Sequence, residues 1–457
     1  MMELNCKEIA QVTEGTIISG NPDTVIEGVS IDTRTINPGQ WFVPLRGEKT
    51  DGHYFIADAF KKGAAGAFYD YPFPPDNLPG VIIKVNDTLK ALQKLAEYYR
   101  QKFSPVVIGV TGSSGKTTTK DLIAQILGKH FQVLKTEGNY NNHIGLPLTL
   151  LNLTHKDQVV ILEMAMRGPG EIAQLAQISR PQWGVITNIG EAHVELLGSR
   201  ENIALAKKEL LDVIGKEGKA LLNGDDQFLQ EIGREFIGEV HFFGWGDGVD
   251  FQARDYRLDE DGVFFIAGFP GGEKKEFFLP LPGKHNVNNA MVALALGYMM
   301  GIDVTEMNFD AQSINISEGR MEIKTSPSGI KIIDDTYNAN PSSMQASLNV
   351  LKELKQEGRK IAILGEMLEL GSYAEEAHRG IGKNIKKNEI DCLITIGEMA
   401  SYIGKEANGK LEKLYHCENK LEAWEYLNQL APGKGDCILI KGSRGLKLEE
   451  IVMKLME

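Results

Sequence analysis

The segment Gly112-Ser113-Ser114-Gly115-Lys116-Thr117-Thr118 contains the residue types that bind nucleotide phosphates. It follows the apolar run 106–110 and precedes the helical pattern 121–127, so we predict a strand, a glycine loop and a helix in that order. Backbone N–H groups of such a loop, together with the helix N-terminus, point at phosphate oxygens. Lys116 would then reach the β- and γ-phosphates, and the Thr117 hydroxyl would bind Mg²⁺. Val110 stands where the usual pattern has its first glycine, so Gly112 and Gly115 must give the loop its flexibility.

Two further polar side chains follow predicted buried strands. Glu163 ends the apolar run 159–163, and His193 comes shortly after the run 185–188. In an open α/β sheet, ligands bind beyond the carboxyl ends of the strands, so both side chains are expected to face the crevice of the glycine loop. A carboxylate and an imidazole at that place could hold a second divalent ion. The alternative for His193 is a capping or solvated residue in a turn.

Lys207 is placed differently from its neighbour Lys208. It lies on the apolar stripe of a predicted helix, four residues after Ile203, whereas Lys208 shares its flank with Asp212. An inward lysine is unfavourable when charged, so its pKa should fall or its charge should be neutralised. The helical pattern alone favours the alternative, in which the side chain of Lys207 extends along the apolar surface to reach water.

The elements that must position these residues divide the chain of 457 residues into three predicted domains of an α/β protein, 1–103, 104–317 and 318–457. The first domain mixes short β runs with two helical stretches and ends near Ser104-Pro105, since proline does not continue a helix. The second domain begins with apolar runs that alternate with helical patterns, which predicts a parallel sheet buried on both faces. These runs are 106–110, 159–166, 183–190 and 219–223.

The second half of the chain continues this pattern with one interruption. The segment 241–283 is rich in Phe and Gly and predicts a set of antiparallel hairpins added to the parallel sheet, followed by a helix at 288–302. Alternation of strands and helices then restarts after about residue 317 and predicts a second, Rossmann-like doubly wound domain. Its predicted strands are 330–335, 360–367, 392–397 and 437–442.

Composition limits the function classes. The chain has 49 Lys and Arg against 62 Asp and Glu, a net charge of −13, which argues against nucleic acid or an anionic membrane as partner. The four cysteines lack CxxC spacing, so neither a zinc site nor a disulfide framework is expected. The N-terminus does not have the pattern of a signal peptide, and no apolar run approaches about 18 residues. We therefore expect a soluble cytoplasmic protein.

The order of the glycine loop, Glu163, Glu191-Ala192-His193 and Lys207 resembles that of the Mur ligases. The resemblance covers essentially the whole chain and includes the segments 283–290 and 319–322. Three narrower segments are similar to one branch of the family, which joins D-alanyl-D-alanine to UDP-N-acetylmuramoyl-tripeptide in peptidoglycan synthesis. These are IDDTYNANPSSM at 333–344, LGEMLELG at 364–371 and KGSR at 441–444.

The resemblance implies an N-terminal domain for the UDP-linked substrate, a central P-loop ATPase domain and a C-terminal Rossmann-like domain that closes on both. It implies ATP, two Mg²⁺ ions and a carbamylated lysine as cofactors, and a monomer that makes an amide through an acyl phosphate. Lys116, Lys207 and His193 would be catalytic. The metal ligands would be Thr117, Glu163, His193 and carbamylated Lys207. The contacts to ATP would be Gly112, Ser113, Ser114, Gly115, Lys116, Thr117, Thr118, Asn286, Asn289, Arg320 and Asp335.

The same resemblance implies contacts to the two other substrates. Asn338 and Asn340 would lie near the incoming dipeptide. The contacts to the UDP-linked substrate would be Ser30, Asp32, Thr33, Arg34, Arg46, Gly47, Asp51, His53, Asn139, Asn141 and Asn142. Lysine and diaminopimelate both stay open as the third residue of the peptide, and no residue is assigned as the base that deprotonates the amine.

Other interpretations stay open at this point. Within the enzyme class these are another Mur ligase step or a folylpolyglutamate synthase, since the central domain is shared. Outside it they are a P-loop switch or motor ATPase, which leaves the segment 334–343 unexplained, and a non-catalytic nucleotide-sugar sensor, which the intact Lys116 and Thr117 disfavour. Locally, the segments 283–290 and 334–343 could be helix starts with Asn caps and an early Pro341.

Overall fold

The computed structural model describes residues 4–72, 78–310, 318–409 and 411–457. Within these ranges the chain forms three large sheets of five, nine and six strands and one two-stranded ribbon. Helices cover the sheets, which confirms the predicted α/β class. The predicted limit between residues 317 and 318 falls at the end of a stretch, 311–317, that lies outside the described residues.

The first sheet has the strand order β2-β7-β6-β5-β4, parallel from β4 to β7, with β2 antiparallel at one edge. Its buried core contains an edge-to-face pair, Trp41 and Phe68, with ring centroids 5.2 Å apart. The elements of this part are β1 Leu4–Asn5, α1 Cys6–Val12, β2 Thr16–Ser19, β3 Val25–Ile26, β4 Gly28–Ser30, β5 Gln40–Phe42, α2 Ile56–Lys61, β6 Gly66–Tyr69, β7 Val81–Lys84 and α3 Thr88–Arg100.

The second sheet has the order β16-β15-β14-β13-β12-β11-β8-β10-β9, with β8 inside and buried on both faces. Its elements begin with β8 Val106–Thr111, α4 Lys116–Leu127, β9 Val133–Lys135, α5 Gly145–Leu150, β10 Val159–Glu163, α6 Glu171–Ser179, β11 Trp183–Ile186, α7 Val194–Leu197 and α8 Arg200–Ile214. They continue with β12 Lys219–Asn223, α9 Gln227–Glu235, β13 Glu239–Gly244, β14 Phe251–Leu258, β15 Val263–Gly268, β16 Lys274–Leu279 and α10 Lys284–Met299.

The hairpin prediction for 241–283 is correct for β14, β15 and β16, which pair antiparallel. It is wrong for residues 241–244, because they belong to β13, which pairs parallel with both β12 and β14. The reason is topological, since β13 follows the helix α9 and a strand–helix–strand connection returns the chain in the parallel direction.

The third sheet has the order β17-β18-β22-β19-β20-β21, parallel except for β17 at one edge. This is the predicted doubly wound arrangement. Its elements are β17 Glu322–Thr325, β18 Lys331–Asp335, α11 Pro341–Glu353, β19 Lys360–Gly365, α12 Ala374–Ile385, β20 Cys392–Ile396, α13 Ser401–Ala407, β21 Lys413–Cys417, α14 Lys420–Leu430, β22 Cys437–Lys441 and α15 Glu449–Met456.

The first and second sheets share one continuous apolar core, in which side chains of α3 pack against α5 and α6. Polar bonds reinforce this junction: the Tyr99 hydroxyl donates to the carbonyl of Leu153 at 2.9 Å, and Arg100 Nε donates to that of Ser179 at 3.0 Å. The third sheet has cores of its own. The C-terminal part is thus the one that can move most independently.

Candidate functional site

A cavity of about 400 Å³ lies between the carboxyl ends of the strands of the second and third sheets. Such a place is where open α/β sheets bind ligands. The structure brings together here most of the residues predicted for the nucleotide, the dipeptide and the metal, and with them Asn141, which is predicted for the UDP-linked substrate. Those that line the cavity are Ser113, Ser114, Gly115, Lys116, Thr117, Thr118, Asn141, Glu163, Asn286, Asn289, Arg320, Asp335, Asn338 and Asn340.

The predicted glycine loop joins β8 to α4, as the strand–loop–helix pattern requires. Gly112 has φ +150°, and a Cβ at this position would lie 1.9 Å from Thr187 Oγ1 at the end of the next strand. Gly115 has φ +79°, and its Cβ would lie 2.5 Å from Asn289 Oδ1 on α10. Both glycines are therefore required by close packing. The loop is held by the Thr187 hydroxyl, which donates to the carbonyl of Ser114 at 2.6 Å.

Lys116 is the first residue of α4 and lies folded over its own loop. Its Nζ donates to the carbonyl of Gly112 at 2.7 Å. Burial lowers the pKa of this lysine, the carboxylate of Glu163 opposes that shift, and the nearby Arg320 cation adds to it. A phosphate group in the cavity would offer Lys116 a stronger, charge-assisted partner than a carbonyl. The Thr117 hydroxyl lies beside it, and this residue is only 3 % exposed.

Glu163 ends β10 and is buried, with one oxygen engaged and one not. Asn141 Nδ2 donates to Glu163 Oε1 at 2.7 Å, and the backbone N–H of Glu163 donates to Thr136 Oγ1 at 3.0 Å. Among the described residues, Oε2 has no hydrogen-bond partner although it is buried. A buried carboxylate oxygen without a partner is unfavourable unless a cation fills the place. Glu163 therefore fits the predicted metal ligand, and Asn141 fixes its orientation.

Lys207 on α8 is 2 % exposed, so the expectation that it extends to water is wrong. Burial lowers its pKa well below the ordinary value, and the charge of Lys116 adds to the shift. Within the described part of the chain, no carboxylate lies within ion-pair distance of it. Lys208 points the other way and pairs with Asp212 at 2.6 Å. A lowered pKa increases the share of the neutral amine, which is the form of lysine that can react with CO₂.

His193 comes two residues after Glu191, in the turn that follows β11, and has a left-handed backbone with φ +65°. Its Nδ1 lies 2.8 Å from Oε2 of Glu369 in the third domain, at hydrogen-bond distance although the alignment is poor. Burial lowers the pKa of His193, Glu369 opposes this, and the cations of Lys116 and Lys207 add to it. The ring thus lies within electrostatic reach of both lysines, although neither His193 nor Lys207 lines the cavity itself.

Acidic and histidine side chains alone supply too few ligands for a metal ion at this site. Throughout the described ranges, no three His, Cys, Asp or Glu side chains gather into a metal-binding group. Glu163 and His193 supply two candidate ligands, and the Thr117 hydroxyl a third of another kind. A divalent ion would need further oxygens, which a nucleotide phosphate or a carbamate on Lys207 would supply.

The two predicted asparagines of α10, Asn286 and Asn289, lie in the wall of the cavity and are hydrogen-bonded to the surrounding protein. Asn286 Nδ2 donates to the carbonyl of Pro282 at 2.8 Å, and Asn289 Nδ2 donates to Asn286 Oδ1 at 3.2 Å. Asn289 Oδ1 accepts from the hydroxyl of Thr119 on α4 at 3.1 Å. Their contact with adenine stays a prediction. What the geometry adds is that they clamp α10 onto the helix that follows the glycine loop.

The third domain contributes two cations to the cavity. The guanidinium of Arg320 lies over the ring of Tyr337, 3.9 Å from its centroid, and its buried Nε has no hydrogen-bond partner in the described structure. Lys441, 1 % exposed, pairs with Asp335 at 2.5 Å and donates to the carbonyl of Asn338 at 2.9 Å. Tyr337 and Lys441 belong to the segments 333–344 and 441–444, but the sequence predicts no role for either side chain.

Asn340 has a local role that one of the open alternatives foresees. It caps α11, since its Oδ1 accepts from the N–H of Ser343 at 2.8 Å, and Pro341 is the first residue of the helix. Asn340 also lies in the cavity wall, and its contact with the dipeptide stays a prediction.

None of the predicted residues of the first domain lines the cavity, and three of them, Arg46, Asp51 and His53, form a separate cluster. Arg46 makes two bonds to Asp70, at 2.8 and 2.6 Å, and His53 lies between Asp51 at 2.6 Å and Asp70 at 3.0 Å. The Tyr71 hydroxyl donates to Asp51 at 2.5 Å, and the pKa of Asp51 is lowered to about 2 by its hydrogen bonds, against the effect of burial.

The remaining predicted substrate residues lie in turns. Asp32 accepts four hydrogen bonds from Arg34, and the carbonyl of Thr33 accepts from Lys62 at 2.7 Å. Asn142 caps α5 through the N–H groups of Ile144 and Gly145 at 3.0 and 2.9 Å. Ser30 donates to the carbonyl of Asp32, Gly47 closes a tight loop with Thr50, and Asn139 lies in an exposed turn.

Comparisons with known proteins agree with this geometry. Residues 25–100 match the family described as "Mur ligase family, catalytic domain", residues 110–297 the Mur ligase middle domain, and residues 319–444 the family "Mur ligase, glutamate ligase domain". A UDP-N-acetylmuramoyl-tripeptide–D-alanyl-D-alanine ligase from Bacillus subtilis is 41% identical over 464 residues, which cover 100% of this chain and 99% of that one.

Two solved structures extend the likeness to three dimensions. A MurF crystal structure from Acinetobacter baumannii has a TM-score of 0.89 and 31% identity, with 99% of each chain covered. A MurF ligase from Thermotoga maritima in complex with ADP has a TM-score of 0.82 and 29% identity, with 94% of this chain and 96% of that one covered.

Proposed function

The chain belongs to the Mur ligase family, and from that premise we propose that it is the ATP-dependent ligase that joins D-alanyl-D-alanine to UDP-N-acetylmuramoyl-tripeptide in peptidoglycan synthesis. Full-length identity to the Bacillus ligase supports this amine acceptor over that of another Mur step or a folylpolyglutamate synthase. The observation in the structure that carries the proposal is the convergence of Lys116, the unpaired oxygen of Glu163 and Arg320 on one cavity.

The residues of the cavity suit the activation of a carboxylate. A carboxylate is a poor electrophile, so one of its oxygens first attacks the γ-phosphorus of ATP; the bond from this phosphorus to ADP breaks, and an acyl phosphate forms. The amine of the dipeptide then attacks the acyl carbon, and phosphate leaves as the amide forms. Lys116 and the N–H groups of the glycine loop bind the phosphates, and Arg320 binds charge on the transferred group. Positioning and charge neutralisation carry the catalysis.

We infer that Thr117 would hold one Mg²⁺ together with the nucleotide phosphates, and that Glu163, His193 and a carbamylated Lys207 would hold a second ion. When bound, the metal neutralises phosphate charge and orients the attacking oxygen. The buried Oε2 of Glu163 and the uncompensated amine of Lys207 are the features that support this assignment. Addition of CO₂ to the Lys207 amine forms a carbamate. This group is an anion, and its two oxygens can bind a metal ion.

The third domain must dock for the reaction to proceed, since Arg320, Asp335 and Lys441 all come from it. Docking also excludes water, which would otherwise hydrolyse the acyl phosphate. We propose the dipeptide site at Asn338 and Asn340 and the UDP site at the cluster of Arg46, Asp51 and His53. The domain limits 1–103, 104–317 and 318–457 also remain proposals.

The described part of the chain contains no helix that is long and apolar enough to cross a membrane. We propose that the protein acts as a monomer in the cytoplasm, where ATP and a nucleotide-linked substrate are available.

Phosphate release with a panel of amine acceptors tests the function. ATP, Mg²⁺ and UDP-N-acetylmuramoyl-tripeptides with lysine or diaminopimelate at position three are incubated with D-alanyl-D-alanine, diaminopimelate or glutamate. We expect release that depends on D-alanyl-D-alanine and stoichiometric amide product. Release with another acceptor, or release without any acceptor, would contradict the proposal.

A further inference from the structure

Two residues with left-handed backbones meet where the third domain contacts the second. His193 has φ +65°, and Glu369 has φ +61°. Neither is a glycine, and such a backbone is unfavourable by about 1 kcal/mol for other residues. Residues held in this way gather at functional sites and persist only where their surroundings fix them. Glu369 Oε2 lies 2.8 Å from His193 Nδ1, so the two strained residues contact each other across the junction.

The segment that carries Glu369 is held rigidly within its own domain. The N–H of Met367 donates to Nε2 of the buried His378 at 3.0 Å, and the N–H of Leu368 donates to Ser443 Oγ at 2.9 Å. Nδ1 of His378 lies 2.6 Å from the carbonyl of Ala374, which places the proton there and leaves Nε2 as an acceptor. The backbone just before Glu369 is therefore fixed by hydrogen bonds, and this determines where its side chain starts.

The partner segment of the second domain is also held by the third domain. Ser342 Oγ at the start of α11 donates to Glu191 Oε2 at 2.8 Å. A Cβ at Gly371 would lie 2.8 Å from Cγ of Glu195, so the two chains pack closely there. The turn with His193 is thus contacted on both of its sides, at Glu191 and at Glu195, by the domain that carries Glu369.

We propose that Glu369 is a positioning residue, which fixes the His193 ring through Nδ1 and leaves Nε2 for a divalent cation, so that the metal site is complete only when the third domain is docked. This inference rests on the proposed function. A metal-bound histidine commonly has a carboxylate on its other ring nitrogen, which sets the tautomer and the ring orientation. Here the carboxylate comes from the third domain, so that domain docking and metal binding become one coupled event.

The test compares Glu369→Gln with Glu376→Gln, a matched change of an exposed carboxylate on α12 that lies near the same loop. Mn²⁺ binding to each protein, saturated with a non-hydrolysable ATP analogue, is followed by electron paramagnetic resonance. We expect Glu369→Gln to weaken Mn²⁺ binding by about 10-fold or more and Glu376→Gln to leave it unchanged. Because Glu369 is half-exposed, the substitution should not disturb folding.

Kinetics give a second readout. Glu369→Gln should lower kcat at limiting Mg²⁺, with recovery at high Mg²⁺ and an unchanged KM for the peptide substrate. In the variant that also has His193→Ala, Glu369→Gln should add no further loss, because its partner is gone. Wild-type Mn²⁺ affinity in Glu369→Gln, or a full additional loss in the double variant, would overturn the inference. A wild-type protein that couples no dipeptide would instead overturn the proposed function.

Discussion

At the scale of single residues, the site contains buried amines and a buried carboxylate oxygen that lack partners of opposite charge. Lys116 and Lys207 are buried amines whose pKa values are both lowered by burial, and Glu163 offers a single unpaired oxygen. Without ligand this arrangement is unfavourable, because buried charges are stable only when they are paired. A nucleotide with its metal ions supplies the missing charges, so the site is built for the complex and not for the free protein.

Replacement of Lys116 by Ala should reduce ATP-dependent phosphate release by about 100-fold or more, since a donor to the transferred phosphoryl group is lost. Phosphate release at saturating substrates checks this, with circular dichroism to show that the variant is folded. Turnover near that of the wild type would remove the glycine loop from the mechanism.

Lys207→Ala and Lys208→Ala form a matched pair on one helix. We expect Lys207→Ala to lose about 100-fold or more in turnover and Lys208→Ala to stay near wild type, because Lys208 only pairs with Asp212 at the surface. After incubation with ¹³C-bicarbonate, nuclear magnetic resonance should detect a carbamate in the wild type and in Lys208→Ala but not in Lys207→Ala. Equal losses in the two variants would contradict the placement of Lys207.

At the scale of elements, the sequence predicts what a buried strand or an amphipathic helix determines locally. β8, the glycine loop and α4 are correctly predicted, because an apolar strand, two required glycines and a helical stripe follow each other. Among the strands that the pattern does not predict, β9, β17 and β21 lie at sheet edges and β1 lies in the two-stranded ribbon. Short strands at such places have little apolar signal. β6 is inside its sheet, but its Gly66-Ala67 start has low β-propensity.

Contacts between distant elements could not be predicted. The pairings of Lys441 with Asp335 and of Glu369 with His193 depend on how loops from different strands or domains meet. The hydrophobic periodicity of a single element does not contain this information. The direction of Lys207 was ambiguous for the same reason: the helix shows that it faces inward, but only the packing around α8 decides that it cannot reach water.

The N-terminal turn of α10 makes a prediction about acid stability. His285 lies there, where a positive charge is disfavoured by the helix dipole, and burial is the main cause that lowers its pKa from 6.5 to about 4. Between these values the unfolded chain binds a proton that the folded protein does not, so the folded state loses stability as the pH falls from 6.5 towards about 4.

Replacement of His285 by Gln should therefore flatten the stability profile in this window. Urea unfolding at about pH 7 and about pH 4.5 gives the change in the free energy of unfolding for the wild type and for the variant. The two changes are then compared, so that the contribution of the carboxylates, which both proteins share, cancels. An equal loss of stability on acidification in the two proteins would show that His285 does not contribute.

At the scale of the whole molecule, the first and second domains share a core, whereas the third domain has its own cores and is attached by apolar contacts of Val194 and Leu258 and by polar bonds. One of them is the bond from the Tyr256 hydroxyl to Glu353 Oε2 at 2.6 Å; burial and this carboxylate both raise the pKa of Tyr256, so the hydroxyl stays a donor. An attachment of this kind suits a domain that docks and releases in each catalytic cycle.

Tyr256→Phe removes that bond and should weaken docking by about 1 kcal/mol. We expect a larger radius of gyration in small-angle X-ray scattering without nucleotide and a higher KM for ATP, with an unchanged melting temperature for the shared core. Tyr298→Phe, whose hydroxyl donates to Pro270 within the second domain, is the control. Identical scattering of wild type and Tyr256→Phe would show that this bond does not hold the third domain.

The transfer of oxygen from substrate to phosphate tests the central claim most directly. UDP-N-acetylmuramoyl-tripeptide labelled with ¹⁸O in its terminal carboxylate is coupled to D-alanyl-D-alanine with unlabelled ATP, and the released phosphate is analysed by mass spectrometry. We expect one labelled oxygen in the phosphate for each amide formed, and neither product with Lys116→Ala. Unlabelled phosphate, or phosphate released without amide formation, would mean that the nucleotide bound at Lys116 does not activate the peptide.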